Sequence, residues 1–177
     1  MNMQVEVFTP LAVVTGTADR ARVASDASGV PLQLPIEAVH RFPLGGGPPR
    51  RQERVTIEPD EILLVAMEPP PFGVHAQWYP IDLDLGPYHL EARLPTAPGF
   101  DPARALARPR GAYVALHDVA ISVPAQPGGG VSERAYVEVN RYAVDRIASN
   151  LMLGFFFPGA SQEALPDSSA PPIVLAV

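Results

Sequence analysis

The chain has 177 residues, 47% of them hydrophobic, and a formal charge of −6. That is enough apolar material for a sizeable core, which excludes global disorder. All 13 cations are arginine and there is no cysteine, so disulfides, thiolate metal sites and cysteine nucleophiles are excluded, and the acidic balance disfavours general affinity for nucleic acid.

The 22 prolines and 14 glycines favour short strands joined by many turns. The first residues lack a basic region followed by an apolar run, so no signal peptide is expected. No stretch approaches the roughly 18 uninterrupted apolar residues of a membrane span. A cytoplasmic location without membrane contact is the default expectation.

Val5, Val7, Leu11, Val13 and Val14 predict an N-terminal strand, bent at Thr9-Pro10 and continuing to Gly16. Thr17–Ser28 is small and polar, a loop or one helical turn. From Gly29 a long strand is predicted, with Leu32, Leu34 and Ile36 alternating. After a local slip it continues through Val39 and Phe42. The glycines at 45–47 with Pro48 and Pro49 make a flexible connection. Arg54–Ile57 and Glu61–Met67 then form a strand, a tight turn and a second strand.

Residues 68–73 carry three consecutive prolines and mark the best boundary. The predicted organisation is a first module over 1–68, a linker over 69–75, a second module over 76–158 and a tail over 159–177. In the second module Trp78, Ile81, Leu83, Leu85, Tyr88 and Leu90 mark new strands. Ile81-Asp82-Leu83 echoes Val5-Glu6-Val7, and Gly86-Pro87 stands where Thr9-Pro10 stood. Asp101-Pro102 predicts the start of a short helix ending near Arg108.

Gly29–Val65 can be laid on Gly111–Ile147 without a gap, at an offset of 82 (Val65 to Ile147). Leu34 then meets Leu116, Ala38 meets Ala120 and Val55 meets Val137. A tandem duplication follows. Leu151–Phe157 is apolar and rich in aromatics, and predicts a core or inter-module strand. The chain ends in an apolar run containing Ile173, Leu175 and Val177, which could add a strand to its own sheet or to a neighbour's edge.

The strand–turn–strand spacing is similar to the second signature of Sm-like small β-barrels: Ile57, Ile62 and Val65 fit it, as do Val139, Val144 and Ile147. It also looks like uncharacterised bacterial domains of this pattern. The resemblance implies an all-β fold of two tandem small β-barrel (Sm/SH3-like) modules with at most one short helix. In that family an Arg-Gly turn contacts RNA. Here those positions hold Glu58-Pro59 and Asn140-Arg141, so the resemblance carries RNA contact only to Asn140 and Arg141.

Little of the remaining sequence points to chemistry. The four histidines form no metal-binding spacing, and neither metal nor cofactor is expected. Asp82 and Asp84 share one strand face, as a paired acid site would or as a solvated face would. The glycine-rich segments are followed by strands rather than helices, so they are hairpin loops and not phosphate cradles. Arg50, Arg51 and Arg54 are the densest basic cluster, a candidate anion or nucleic-acid site with Asn140 and Arg141. Candidate interface residues are Trp78, Phe155, Phe156, Phe157, Ile173, Leu175 and Val177; the modules are expected to meet along Trp78, the Leu83 strand and the phenylalanine run. The expected function is a non-enzymatic structural or interaction module, a homo-oligomer through strand edges or the binder of a protein partner. The alternatives are an RNA-binding Sm-like protein and a small metal-dependent or hydrolytic enzyme.

Overall fold

The computed structural model describes residues 2–23, 33–70, 77–96, 111–126, 128 and 130–165. Its first half holds β1 (Asn2–Phe8), β2 (Ala12–Asp19), a helical turn α1 (Arg20–Val23), β3 (Leu34–Pro43), β4 (Arg50–Ile57) and β5 (Leu64–Met67). A 3-10 turn, Pro59–Glu61, separates the last two. The second half holds β6 (Gln77–Leu85), β7 (Tyr88–Thr96), β8 (Tyr113–Ser122), β9 (Ser132–Asn140), β10 (Arg146–Ala148) and β11 (Ser161–Glu163). The predicted 101–108 helix and the 173–177 strand lie outside the described residues.

The chain is all-β. Its strands form one sheet in the order β11-β10-β6-β7-β8-β9-β5-β1-β2-β3-β4. Every pairing is antiparallel except β10 with β11. The sequence predicts two barrels, but the sheet is open. The edge of β5 that would close a first barrel against β4 is taken by β9.

The N-terminal strand does not run on past Pro10. It reverses there, and β1 pairs with β2 from Asn2↔Asp19 to Phe8↔Val13. The Thr9 hydroxyl accepts the Ala12 N–H at 3.1 Å and donates to the Ala12 carbonyl at 2.9 Å, which closes the turn. Gly86, at φ +53°, sits in the matching turn between β6 and β7.

Two apolar cores lie along the sheet, the first built from the first half and the second from the second half together with Phe8, Leu63, Leu64 and Ala66. They correspond position by position. Val5, Val7, Val14, Ile36, Val39, Ile57, Ile62 and Val65 of the first match Ile81, Leu83, Leu90, Leu116, Val119, Val139, Val144 and Ile147 of the second. The pairing registers agree: Val7 faces Val14 and Val65, while Leu83 faces Leu90 and Ile147.

The registers also correct the sequence alignment. Thr17↔Glu37 matches Arg93↔His117, and a bulge precedes each pair. Ala38 and Asp118 carry the same positive φ, 51° and 48°. Ala38 therefore matches Asp118, not Ala120, and Leu34 matches Val114. The ungapped offset fails in β3 because the hairpin after Ile121 is two residues longer than the one after Arg41 (Ile121 faces the strand at Ser132, Arg41 at Arg50). Loop glycines tolerate such an insertion, and a gapless comparison carries its error into the strand. Gly16 faces the first bulge. A Cβ there would lie 2.5 Å from both the Glu37 carbonyl oxygen and Ile36 Cγ2, so only glycine lets β3 bend so closely over β2.

The halves do not meet along Trp78 and the phenylalanine run. They meet where β5 pairs with β9: Leu64↔Val139, Val65↔Glu138 and Ala66↔Val137. Leu83 and Phe157 lie within the second core. Trp78 is 41% exposed, with its ring edge-on to His117 at 5.0 Å. Phe155 is 66% exposed, and Phe156 is only partly buried. Residues 151–157 form turns rather than a strand. The unbroken run Ile62–Ala66 was the available signal for the joint, because a strand buried on both faces reads as continuous apolar sequence.

Candidate functional site

The sheet has two ends, and they differ. At one end β4 pairs only with β3. Among the described residues no strand lies along its outer edge. β4 has eight residues, and Arg50–Arg54 are all exposed. Its amide directions follow from the internal joint. The Asn140 N–H donates to the Leu63 carbonyl at 2.9 Å, so alternate amides of β9 face β5. The matching amides of β4, at Arg54 and Thr56, face outward. An unpaired row of this length is a template for another strand.

The bulge at Ala38 bends β3 and opens a groove of about 670 Å³ beside β4. Thr17, Glu37, Arg51, Gln52, Glu53 and Arg54 line it. Two arginines and two glutamates make its lining charge-neutral. The sequence cluster Arg50, Arg51 and Arg54 is thus brought together on one strand, but it shares its surface with acids.

At the other end, the three-residue β11 runs parallel to β10: Arg146↔Ser161, Ile147↔Gln162 and Ala148↔Glu163. All three β11 residues are exposed. The Gln162 side chain holds it down, donating to the Leu151 carbonyl at 2.5 Å and accepting the Leu153 N–H at 3.1 Å. Asp82 and Asp84 project beside this edge, as their spacing predicts. His89 Nδ1 lies 2.6 Å from Asp84 Oδ1, and Arg146 Nε donates to Asp84 Oδ2 at 2.8 Å. Burial alone would raise the Asp84 carboxyl, but the hydrogen bonds from His89 and Arg146 outweigh it and hold it below the ordinary range. Burial raises the Asp82 carboxyl, and Glu91 directly opposite adds to that. Among the described residues no three His, Asp or Glu side chains converge to hold a metal ion.

The depressed Asp84 value sets a pH dependence. A carboxylate with a lowered folded pKa contributes stability above its unfolded value, near 3.8, and loses that contribution as pH falls through the folded value. The stability difference between the wild type and Asp84→Asn should therefore be constant at neutral pH and shrink below about pH 4. Urea midpoints at pH 7 and pH 3 measure it; a difference that stays constant down to pH 3 would remove Asp84 as the titrating group.

Between the two ends lies the joint, which buries the two residues to which the resemblance carried RNA contact. Asn140 and Arg141 are 5% and 6% exposed. Asn140 Nδ2 donates to the Ile62 carbonyl at 2.9 Å, and its Oδ1 accepts the Tyr142 N–H at 3.1 Å. Arg141 Nη2 donates to the Phe155 carbonyl at 2.6 Å and Nη1 to the Gly111 carbonyl at 3.4 Å. These polar atoms serve the protein's own backbone.

Comparison with protein-family models, curated proteins and solved structures finds no match. The functional reading therefore rests on the geometry. Sequence reasoning missed β11 and the Gln162 clamp, which carry no apolar pattern. It placed Tyr88 on a strand but missed its tie between the halves, where the Tyr88 hydroxyl donates to the Thr9 carbonyl at 2.8 Å. Of the interface candidates, Ile173, Leu175 and Val177 lie outside the described residues.

Proposed function

We propose that the protein is a non-enzymatic structural or interaction module that takes up an extended strand along the outer edge of β4. The carrying observation is that edge: eight residues long, unpaired among the described residues, at the end of a continuous sheet. The internal joint supports the reading, because there the same sheet accepts the strand β5 along β9 through a three-residue ladder. In this reading the halves are two copies of a small-barrel unit related to the Sm-like pattern, left open so that edges can be shared. Strand uptake is favoured over nucleic-acid binding because Glu37 and Glu53 cancel the groove's arginines. The protein would form homo-oligomers, or bind a protein partner, through strand edges.

The test is Thr56→Pro, which removes an outward-facing donor without touching an amide bonded to β3. Light scattering over a concentration series should show the wild type self-associating, and the variant should need at least tenfold higher concentration. A wild type that stays monomeric and captures no strand peptide would sink the proposal.

A further inference from the structure

We infer that β11 is a built-in cap, and that the β4 strand of a second copy takes its place on β10, joining copies head to tail. This deepens the edge-strand reading and rests on it.

The first argument is register. The internal joint sets Leu64 opposite Val139 and Ala66 opposite Val137. Both strands recur at an offset of 82: Leu64 to Arg146 in β10, and Ile57 to Val139 between β4 and β9. The copied joint therefore sets Arg146 opposite Ile57 and Ala148 opposite Val55. One chain cannot make it, because its own β4 lies at the far end of the sheet.

The second is occupancy. β11 pairs with Arg146, Ile147 and Ala148, the three residues that match Leu64, Val65 and Ala66. It therefore sits on β10 where β9 sits on β5. It is short, exposed and parallel, the less stable pairing mode per residue. An antiparallel strand from a neighbour competes with it on favourable terms.

The third is charge. Across the internal joint Arg134 Nη2 lies 2.7 Å from Glu6 Oε2. In the copied joint Asp82 takes the place of Glu6, with Glu91 facing it. Gln52 takes the place of Arg134, flanked on its own strand face by Arg50 and Arg54. The one β4 face that holds Gln52 thus presents Arg50 and Arg54 without a glutamate, although the groove as a whole is neutral, and the far end of the sheet presents Asp82 and Glu91. Pairing β4 with a second β4 would set two such arginine faces together. One difference from the internal joint weakens the contact: the apolar pair Phe8 and Leu64 is replaced by the ion pair Asp84 and Arg146. The contact between copies is accordingly polar, reversible and sensitive to salt.

The cap can be loosened in the full chain. The Ser161 N–H donates to the Asp145 carbonyl at 3.0 Å, so Ser161→Pro with Gln162→Ala removes a backbone tie and the clamp. Light scattering at low salt should show the uncapped chain forming species larger than dimers at concentrations at least tenfold lower than the wild type, and Arg54→Glu should abolish them. In the uncapped background Arg54→Glu and Asp82→Arg should each fail to assemble alone and should assemble when mixed, because each then supplies the charge the other lacks. Circular dichroism checks that each variant is folded. If either does not fold, Arg50→Glu and Glu91→Arg serve as the pair. Dimers indifferent to the cap, or no recovery on mixing, would overturn the head-to-tail joint and leave the edge-strand reading standing. Monomers throughout, capped or uncapped, would overturn both.

Discussion

Arg141→Ala should lower the stability of the protein by about 3 kcal/mol or more, against less than about 1 kcal/mol for Arg134→Ala. Arg141 is buried and ties three stretches of chain together. Its N–H donates to the Ala112 carbonyl, and its guanidinium reaches the carbonyls of Gly111 and Phe155. The first two lie at the entry to β8; the third belongs to the turns after β10. Alanine keeps the backbone bond but leaves two carbonyls without this donor and a cavity where the side chain lay. A donor lost from a buried acceptor costs the desolvation of that acceptor, which exceeds the net value of the bond itself. Arg134 also forms an ion pair, with Glu6, but both side chains are about one-third exposed and water replaces the partner. Arg141→Lys should recover little, because a compact ammonium on a flexible stem does not reproduce a planar fork reaching two carbonyls. Urea midpoints for the three variants decide the matter. An Arg141→Ala loss below about 1 kcal/mol would mean that the guanidinium does not hold these segments together.

The same residue shows what the sequence could and could not reveal. The spacing of Val139, Val144 and Ile147 located a turn correctly, and the core assignments of all three hold. An arginine beside an asparagine in that turn reads as exposed, because charged residues are rarely buried without partners. Its partners are backbone carbonyls, which sequence does not mark. The correspondence of the halves was legible through Val5 and Ile81, or Ile57 and Val139, because the same period-two alternation and spacing stand in both. That the sheet stays open was not, because closure depends on which strand takes the edge of β5. That choice is made by tertiary packing between β5 and a strand more than seventy residues later. The candidate site was half legible. The arginines of β4 stood out by charge, but the place of β4 at the end of the sheet among the described residues is a property of topology. The cap was not legible at all, since Ser161-Gln162-Glu163 has neither apolar alternation nor β-branched residues to signal a strand.

Ile36→Ala should lower the unfolding midpoint of both halves together, by an amount equivalent to about 3 kcal/mol. Ile36 is fully buried in the first core. The only tryptophan, Trp78, stands on β6 in the second half, against His117. Its fluorescence therefore reports the second half, while circular dichroism reports the whole sheet. Two independent units would give a dichroism transition that splits and a fluorescence transition that does not move. The joint predicts otherwise. Side chains of β5 alternate between the cores: Val65 enters the first, and Leu64 and Ala66 enter the second. Phe8 of β1 also belongs to the second core, its ring edge-on to Tyr88 at 5.4 Å. Unfolding the first half would pull Phe8, Leu64 and Ala66 out of the second core and strip β9 of β5, one of its two partner strands. The cost of opening so much apolar surface makes partial unfolding less favourable than complete unfolding. The two probes should then shift by the same amount, and a fluorescence midpoint unchanged from the wild type would show that the shared strand does not couple the halves.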